Sequence, residues 1–541
     1  MSSSELTPEA LRSRTRETGV PTLPADTTGT VVWHRDDLRL DDQAAVAAGA
    51  EADRLLPLFV FDPSFYGSDG LACDARLRFL HECLDDLDRR YRERTNAGLS
   101  YAVGEPIDLL ERFRSAGWNL VATASPSGRY GHERDQRAYR ELDATFVPGD
   151  GLVRDAERPR REWQDRTEAW FAADQYDWDP DSVRVVEFPT GLDSSDVERA
   201  YDVDPTKSRV PQGGGQQARA RLRSFVDQIH EYPGAISSPV DAREGTSGLS
   251  PYLKFGCLSV RQVYQYVDAH APDARGTEMF VSRLFWNRHY EQKLADWPGW
   301  TDRAVNPVLR GFNADRRDPE LIAAWKRGRT GYPMVDASMR CLRETGWLNF
   351  RMRALCASCY FHVLQQPWRI GADWFYRHLI DAEASINYTQ WQSQCGLVGR
   401  PTLRLYNPRK QVRDQDPEGE FIREWIPELA ALPTEYLDRP EHTPLAVQAE
   451  CGVRIGEEYP RPVVDYEAAR QEFRERLEDV RARAADALAR PAVADRASLS
   501  GGRSAARSIA RNHGTETEQN ESDDGTQARL DAFGESEFRP E

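Results

Sequence analysis

The sequence predicts two folded parts, an N-terminal α/β domain with a parallel sheet in three layers and then an all-helical domain. Short apolar segments suited to strands, at 55–61, 99–103 and 119–124, alternate with helical stretches in the first part of the chain. This alternation is typical of a parallel sheet covered by helices on both faces. From 216 to about 435 the apolar residues recur with a helical period throughout, which predicts the second domain.

The first strand of the predicted sheet leads into a strongly charged turn. The segment TVVWHRDDLRLDD spans 30–42, and no Gly-x-Gly-x-x-Gly fingerprint of a dinucleotide site follows the strand. Open α/β sheets bind ligands beyond the carboxyl ends of their strands. The turn therefore marks an edge where a ligand could bind, and the alternative is an ordinary charged loop.

Composition divides the chain into six segments, and the two terminal segments are polar enough that we expect them to be disordered. In chain order the segments are a disordered N-terminus (1–28), the α/β domain (29–150), an interdomain linker rich in Asp, Arg, Pro and Gly (151–215), the helical domain (216–440), a C-terminal segment with one charged helix (441–490) and a disordered acidic tail (491–541).

The charge balance limits how this protein can contact nucleic acid. The net charge is −17, and lysine occurs only at 207, 254, 293, 326 and 410. An acidic surface disfavours non-specific DNA binding, so any DNA contact must come from a local basic patch.

Several classes of protein are excluded by what the chain lacks. It has no run of 18 or more apolar residues and no apolar signal region at its N-terminus, so we expect a cytoplasmic protein without a membrane span. The eight cysteines are scattered, which favours reduced thiols. Cys356 and Cys359 lie three apart in a helical stretch with no second pair nearby, so we expect core packing and no metal.

The segment 368–411 holds the densest group of candidate functional side chains. Asp381 and Glu383 lie in a predicted turn, and Asn387 and Trp391 lie four apart on the helix that follows. Residues four apart share one helical face. Two carboxylates, an amide and an indole can therefore line one pocket, which suits a heteroaromatic ring that needs polar contacts and an electron.

This segment resembles the flavin site of the photolyase/cryptochrome family, whose pattern is Asp-x-Asp-x-x-x-Asn-x-x-x-Trp. LYNPRKQ (405–411) and DPEGEFIREWIPEL (416–429) resemble further segments of that family, and the resemblance extends over roughly 30–440. It implies that the helical domain binds FAD. It also implies that the α/β domain is of the antenna type, with a folate or a deazaflavin as the candidate second chromophore.

The resemblance assigns the cofactor-binding residues. GTSGLSPYLKFG (245–256) resembles the family's FAD-phosphate segment, with Gly248 where the family usually has Arg, and an ordinary helix cap is the alternative. Arg353 is the implied partner of Asp381. The full set is Tyr232, Thr246, Ser247, Gly248, Leu249, Ser250, Phe280, Asn287, Arg353, Asp381, Ala382, Glu383 and Asn387.

The resemblance also implies a chain of tryptophans that passes electrons to the flavin. Trp391 matches the residue next to the flavin and Trp368 the middle residue, whereas the third position is Asp315. Asn387 and Trp286 complete the residues implied to be catalytic. Without the resemblance, both relay tryptophans would be interpreted as core packing.

Aromatic and basic residues near these segments could bind DNA that carries ultraviolet lesions. The helix containing Trp286 resembles one that contacts both FAD and the lesion. The predicted DNA-binding residues are Arg283, Trp286, Arg288, Phe350, Arg351, Arg404, Arg409 and Lys410, with Arg400 as a further basic group. Phe350, Ala354 and Ser393 depart from the residues found in enzymes that repair cyclobutane dimers.

Two functions remain open at this stage, besides a flavoprotein without a light function. The first is a DNA photolyase, a carbon–carbon lyase driven by blue light, in which reduced FAD splits pyrimidine dimers. The second is a cryptochrome-type photoreceptor without repair activity. The basic groups near the pocket segments favour the enzyme. We expect a monomer whose partner is DNA with ultraviolet lesions.

Overall fold

The structure is a computed structural model that describes residues 6–156, 159–400, 403 and 405–515. Its first part is built on a parallel sheet in the order β3-β2-β1-β4-β5, with β6 beside β2. The strands are β1 (Gly29–His34), β2 (Arg54–Phe61), β3 (Ser100–Val103), β4 (Asn119–Ala124), β5 (Thr145–Pro148) and β6 (Arg184–Val185).

Both faces of this sheet are buried, as three layers require. Val31 and Trp33 of β1 face a core that contains Phe113, whereas Val32 faces a second core that contains Phe79. The covering helices and their neighbours are α1 (Pro8–Glu17), α2 (Ala44–Gly49), α3 (Asp74–Thr95), α4 (Pro106–Ser115), α5 (Arg129–Leu142), α6 (Trp163–Ala172) and α7 (Ser194–Ala200). The predicted α/β fold is confirmed.

The remainder of the described chain is helical, which confirms the predicted second part of the fold. Its helices are α8 (Gly215–Asp227), α9 (Tyr232–Ala235), α10 (Ala242–Gly245), α11 (Ser250–Lys254), α12 (Val260–His270), α13 (Arg275–Asp296), α14 (Pro319–Arg327), α15 (Pro333–Thr345), α16 (Phe350–Ser358), α17 (Trp368–His378), α18 (Ala384–Gln394), α19 (Pro408–Gln415), α20 (Glu420–Trp425), α21 (Leu445–Cys451), α22 (Tyr466–Leu488), α23 (Pro491–Ala497) and α24 (Gly502–His513). Among the described residues, no helix has the length and apolar content that a membrane span needs.

The N-terminal segment is more ordered than the sequence predicts. Helix α1 lies against the edge strand β3, where Thr15 Oγ1 accepts a hydrogen bond from the Val103 amide at 2.9 Å. Leu11 is 1% exposed. A helix on this edge satisfies backbone groups that would otherwise be open to another strand. The prediction of disorder over 1–28 is therefore wrong for α1.

The predicted linker also belongs to the folded structure. It contributes α6, β6 and α7. At its end, the three successive glycines Gly213–Gly215 lie against α3. The amides of Gly213 and Gly215 donate to Glu82 Oε2 at 2.6 Å and to Asp86 Oδ2 at 2.8 Å. A Cβ at Gly213 would lie 2.4 Å from the Phe79 carbonyl oxygen. The close approach explains the glycines, which the sequence analysis assigned to the end of a linker.

The C-terminal segment continues the helical core further than predicted. Helix α22 packs against the π-helical turn Cys359–Val363 and against α24. Leu488 and Ala506 are fully buried there. Small apolar residues on α23 and α24 provide this contact, so the prediction of disorder from 491 is wrong as far as residue 515. The remainder of the predicted tail, 516–541, lies outside the described residues.

Candidate functional site

Asp381 is the point where three of the predicted cofactor segments meet. Its two oxygens accept from Arg353 Nη2 at 3.1 and 2.8 Å, and Oδ2 also accepts from Ser250 Oγ at 2.7 Å. The Asp381 side chain is 5% exposed and the Arg353 side chain 24%. Charge-assisted hydrogen bonds of this kind hold both partners in a fixed geometry.

Helix α18 places Asn387 and Trp391 against α17. Asn387 Nδ2 donates to the Ala372 carbonyl at 3.0 Å, and its amide oxygen accepts no hydrogen bond from the described part of the chain. A Cβ at Gly371 would lie 2.5 Å from the Trp391 ring. The two helices can approach this closely only because position 371 is glycine. The amide oxygen of Asn387 remains available to a ligand.

The predicted phosphate segment forms a compact loop before α11. Thr246 Oγ1 donates to the Ala242 carbonyl at 2.6 Å, and Ser247 Oγ accepts from the Leu249 amide at 3.4 Å. Gly248 has a φ of +60°, a left-handed conformation that favours glycine. Leu249 is buried, so the segment is anchored in the core.

Aromatic residues pack beside this loop. Tyr232 and Phe280 meet at 5.9 Å between ring centroids, and Phe225 of α8 contacts both. Burial raises the pKa of Tyr232, and the nearby Arg283 acts in the opposite direction. Two further predicted cofactor residues, Asn287 and Ala382, are bound or buried within the fold. Asn287 Oδ1 accepts from Arg288 Nη2 at 2.6 Å, and Ala382 lies in the helical core.

A second group of charged residues lies close to Asp381, and the sequence analysis did not predict that its members interact. Glu383 Oε2 lies 3.1 Å from Lys254 Nζ, which also faces Asp36 of the α/β domain at 3.7 Å. Glu291 of α13 accepts from Ser385 Oγ at 2.8 Å and is 6% exposed. Because the sequence contains few lysines, the presence of Lys254 in a cofactor segment could have indicated that it belongs to the site.

The pKa of Glu291 is raised to about 8 by burial and by the neighbouring Glu383 carboxylate. Between its ordinary pKa and 8, the folded protein holds a proton that the unfolded chain releases. The free energy of unfolding should therefore fall as pH rises through this range, by up to about 1.4 kcal/mol per pH unit from this group. Lys254, Arg288 and Ser385 lower the pKa of Glu291, and the value of about 8 already includes their effects.

Glu291→Gln should remove this pH dependence. Glutamine keeps an acceptor for Ser385 but has no proton to exchange, so the variant should exceed the parent in stability at pH 8 and match it more closely at pH 5. Urea unfolding at pH 5, 6.5 and 8 measures the difference. Glu278→Gln, an exposed carboxylate on the same helix, is the control. Parallel stability curves for parent and Glu291→Gln would contradict the assignment.

The ring contacts around Trp391 differ from the predicted order of the relay. Its neighbours are Phe375, Tyr360 and Trp325, at 5.3, 5.9 and 6.1 Å between centroids. Trp368 instead contacts Tyr388 at 6.4 Å, and no ring contact joins it to Trp391, although both lie in the described part of the chain. Trp325, which the sequence did not single out, makes the ring contact with Trp391 that was expected of Trp368.

Two of the predicted DNA-binding residues are large aromatics that the fold leaves exposed. Trp286 is 43% exposed and Phe350 is 52% exposed. Helix α9 packs against α13, which carries Trp286. Arg351, next to Phe350, donates to Ser237 Oγ at 3.1 Å. Trp286 and Phe350, with Arg283 and Arg351 near them in the sequence, are together called the aromatic rim below.

Other predicted DNA contacts are placed differently. Arg288 donates to the Asp150 carbonyl at 3.0 Å, and Arg409 lies 2.7 Å from Glu441 with a side chain only 15% exposed. Both cations are occupied within the fold, so their prediction as DNA-facing groups does not fit the structure. Lys410 is exposed, 65% at its side chain. Arg404 lies outside the described residues.

A basic cluster next to Trp286 includes Arg400, which the sequence analysis named, and further residues that it did not assign to a site. His289 contacts the Trp286 ring at 5.5 Å. Burial and the charges of Lys293, Arg160 and Arg400 lower its pKa to about 2. The pKa of Lys293 is lowered to about 7 by burial and the same two arginines. These side chains come from separate segments, so no local run of basic residues could have shown the cluster.

At the carboxyl end of β1, the charged turn is bound both within its own domain and by the helical domain, where the Phe255 carbonyl accepts from the Leu38 amide at 3.0 Å. Asp37 accepts from Thr123 Oγ1 at 2.6 Å and from Gln43 Nε2 at 2.5 Å. The Arg35 guanidinium lies over the Trp33 ring at 5.2 Å. A second chromophore at this edge stays a prediction.

Comparisons with known proteins identify relatives of both parts of the fold. A family model described as DNA photolyase matches 30–151, and one described as the FAD binding domain of DNA photolyase matches 280–479. The chain is 29% identical to the deoxyribodipyrimidine photo-lyase of Synechococcus sp., over 85% of this chain and 98% of that protein. It is 30% identical to cryptochrome DASH of Natronomonas pharaonis, over 82% of this chain and 99% of that protein.

A solved structure shows the same architecture over nearly its whole length. The class III photolyase from Agrobacterium tumefaciens matches with a TM-score of 0.69 and 26% identity, covering 85% of this chain and 98% of that one. The sequence relatives and the structural neighbour thus point to the same two-part fold with a flavin-binding helical half. The chain therefore belongs to the photolyase/cryptochrome family.

Proposed function

We propose that this protein is an FAD-dependent DNA photolyase, which uses blue light to split pyrimidine dimers. The observation that carries the proposal is the aromatic rim. Trp286 and Phe350 are exposed aromatics in a chain of acidic net charge, and arginines adjoin both. Enzymes that act on a base inside a duplex flip it into a pocket with stacking walls, and a basic rim binds its phosphates.

The side chains around Asp381 fit a flavin. Asp381 and Glu383 are acceptors for ring or ribityl donors, and the free amide oxygen of Asn387 can accept another hydrogen bond. Tyr232 and Phe280 supply an apolar wall next to the 246–250 loop. When bound in its reduced form, FAD would supply under light an electron that splits the dimer and then returns to the flavin.

The protein's own residues have separable tasks in this proposal. The Arg353–Asp381 pair and Ser250 orient the cofactor side of the pocket. Trp286 and Phe350 stack on the flipped bases, while Arg283 and Arg351 bind the flanking phosphates. Phosphate contacts position the DNA without reading its sequence, which suits recognition of a lesion rather than of a base order.

The test is repair of an oligonucleotide that contains one cyclobutane dimer, under blue light, by protein loaded with reduced FAD. We expect restored thymines with the parent and severely reduced repair with Trp286→Ala, because each lost stacking contact costs about 1–3 kcal/mol in binding. Tyr139→Ala is the matched control, since Tyr139 is an exposed aromatic, 60% exposed, on α5 of the other domain. Equal repair by Trp286→Ala and the parent would contradict the role of the rim.

A cryptochrome-type photoreceptor is the second candidate. Phe350, Ala354 and Ser393 depart from the pocket residues of dimer-repairing enzymes, and a cryptochrome is among the similar proteins. This alternative predicts that light reduces the bound flavin while dimers of both the cyclobutane and the (6-4) type stay intact. The same illuminated samples, assayed for flavin absorption and for lesion content, separate the two functions.

A further inference from the structure

Arg221, which the proposed function does not use, binds the loop predicted to face the FAD phosphates. Arg221 of α8 donates from Nε to the Ser247 carbonyl at 2.8 Å. Its Nη2 donates to the Thr246 carbonyl at 2.7 Å and reaches the Glu244 carbonyl at 3.5 Å. A single guanidinium thus holds three carbonyls of the segment 244–247.

The guanidinium and Gly248 depend on each other. A Cβ at position 248 would lie 2.8 Å from Arg221 Nε and 3.4 Å from Cζ. A side chain there would displace the guanidinium, and the φ of +60° would strain any residue with a Cβ. The absence of a side chain at Gly248 therefore leaves space for the Arg221 guanidinium, which extends from α8.

This arrangement changes the electrostatics of the loop. Backbone carbonyl oxygens repel an anion, and here three of them point at a positive group instead. The loop retains the Ser247 hydroxyl and its amides for other partners, while Ser250 is tied to Asp381. The Arg221 guanidinium adds a full positive charge in direct contact with residues 246 and 247. The planar guanidinium of arginine is suited to binding several oxygens at once.

We propose that Arg221 is a positioning residue for the diphosphate of the bound dinucleotide. It orients the 244–248 loop and supplies positive potential at a position where this chain has glycine. The inference rests on the proposed binding of FAD at this loop. The diphosphate is the part of the ligand that responds to the charge, and the isoalloxazine ring is not.

A structural alternative is that Arg221 merely caps the short helix α10. A cap would hold the loop in shape and would affect every flavin ligand alike. A group that acts on the diphosphate would affect FAD and leave riboflavin, which lacks phosphates, unchanged. The two ligands therefore distinguish the roles in one protein.

The experiment compares affinities of the full-length protein for FAD and for riboflavin after removal of bound flavin. Arg221→Gln keeps a planar donor for one carbonyl but removes the charge. FAD affinity should fall about tenfold or more, as expected for a lost charged hydrogen-bonding group, with riboflavin affinity unchanged. Raising the salt concentration should weaken FAD binding in the parent more than in this variant.

Two further variants complete the test. Arg223→Gln removes an equal charge from an exposed position two residues along the same helix and should leave both affinities at the parental value. Arg221→Lys keeps the charge and should retain most of the preference for FAD over riboflavin, and circular dichroism checks that each variant folds. Equal losses for both ligands, or no loss for FAD, would overturn the inference. A parent that binds no FAD would instead overturn the proposed function.

Discussion

Asp381→Ala is expected to yield folded protein without flavin. Arg353 Nη2 makes both of its hydrogen bonds to this carboxylate, and Ser250 makes its side-chain bond to the same group. Removing the carboxylate leaves a largely buried guanidinium without its counter-charge, at a cost of about 3 kcal/mol. It also removes an acceptor that the cofactor needs, so binding should fail even where the fold survives.

The measurement is flavin absorption of the purified variant before and after incubation with excess FAD, together with its thermal unfolding. Asp381→Asn keeps acceptor oxygen for both partners but removes the charge, and it should retain part of the binding. Asp414→Ala, an exposed carboxylate 3.9 Å from Lys410, is the control and should bind FAD as the parent does. Full flavin content in Asp381→Ala would remove Asp381 from the site.

The Arg353–Asp381 pair shows what the sequence could predict. Its two members belong to distinctive local patterns, and the resemblance paired them across 28 positions. The sheet and the helical half were equally predictable because strand and helix periods persist over many residues. These features depend on local pattern, which a single sequence displays directly.

The features that the sequence did not predict have a different cause, because each depends on a contact between distant segments. Arg409 looked like a free cation until Glu441 was placed beside it. Gly213 and Gly215 were assigned to an interdomain linker, whereas their amides donate to side chains of α3. Arg221 belongs to none of the segments that the resemblance assigned to the cofactor, and its role follows only from the positions of the Glu244, Thr246 and Ser247 carbonyls. Local composition contains none of this information.

The second large effect is expected at Trp391, which should donate the electron that reduces the bound flavin under light. Trp391 lies four residues after Asn387 on α18 and is 3% exposed. Trp391→Phe keeps an aromatic ring but removes the easily oxidised indole. Folding and FAD content should survive, and illumination with an external reductant should give little or no reduced flavin.

The next donor after Trp391 can be chosen from its ring contacts. Phe375 is too difficult to oxidise. Tyr360 would have to lose a proton on oxidation, yet its buried hydroxyl has no hydrogen-bond partner among the described residues and burial raises its pKa. Trp325 remains, in edge contact with Trp391 at 6.1 Å. Trp368 has its ring contact with Tyr388 instead.

Electron transfer slows steeply with distance, so Trp325→Phe should slow photoreduction more than Trp368→Phe does. Initial rates under blue light, at equal flavin content, provide the comparison, and Trp425→Phe on α20 controls for loss of any one tryptophan. A larger effect of Trp368→Phe would restore the order expected from the family resemblance. Photoreduction of Trp391→Phe at the parental rate would show that its indole serves only the packing of α18 against Gly371.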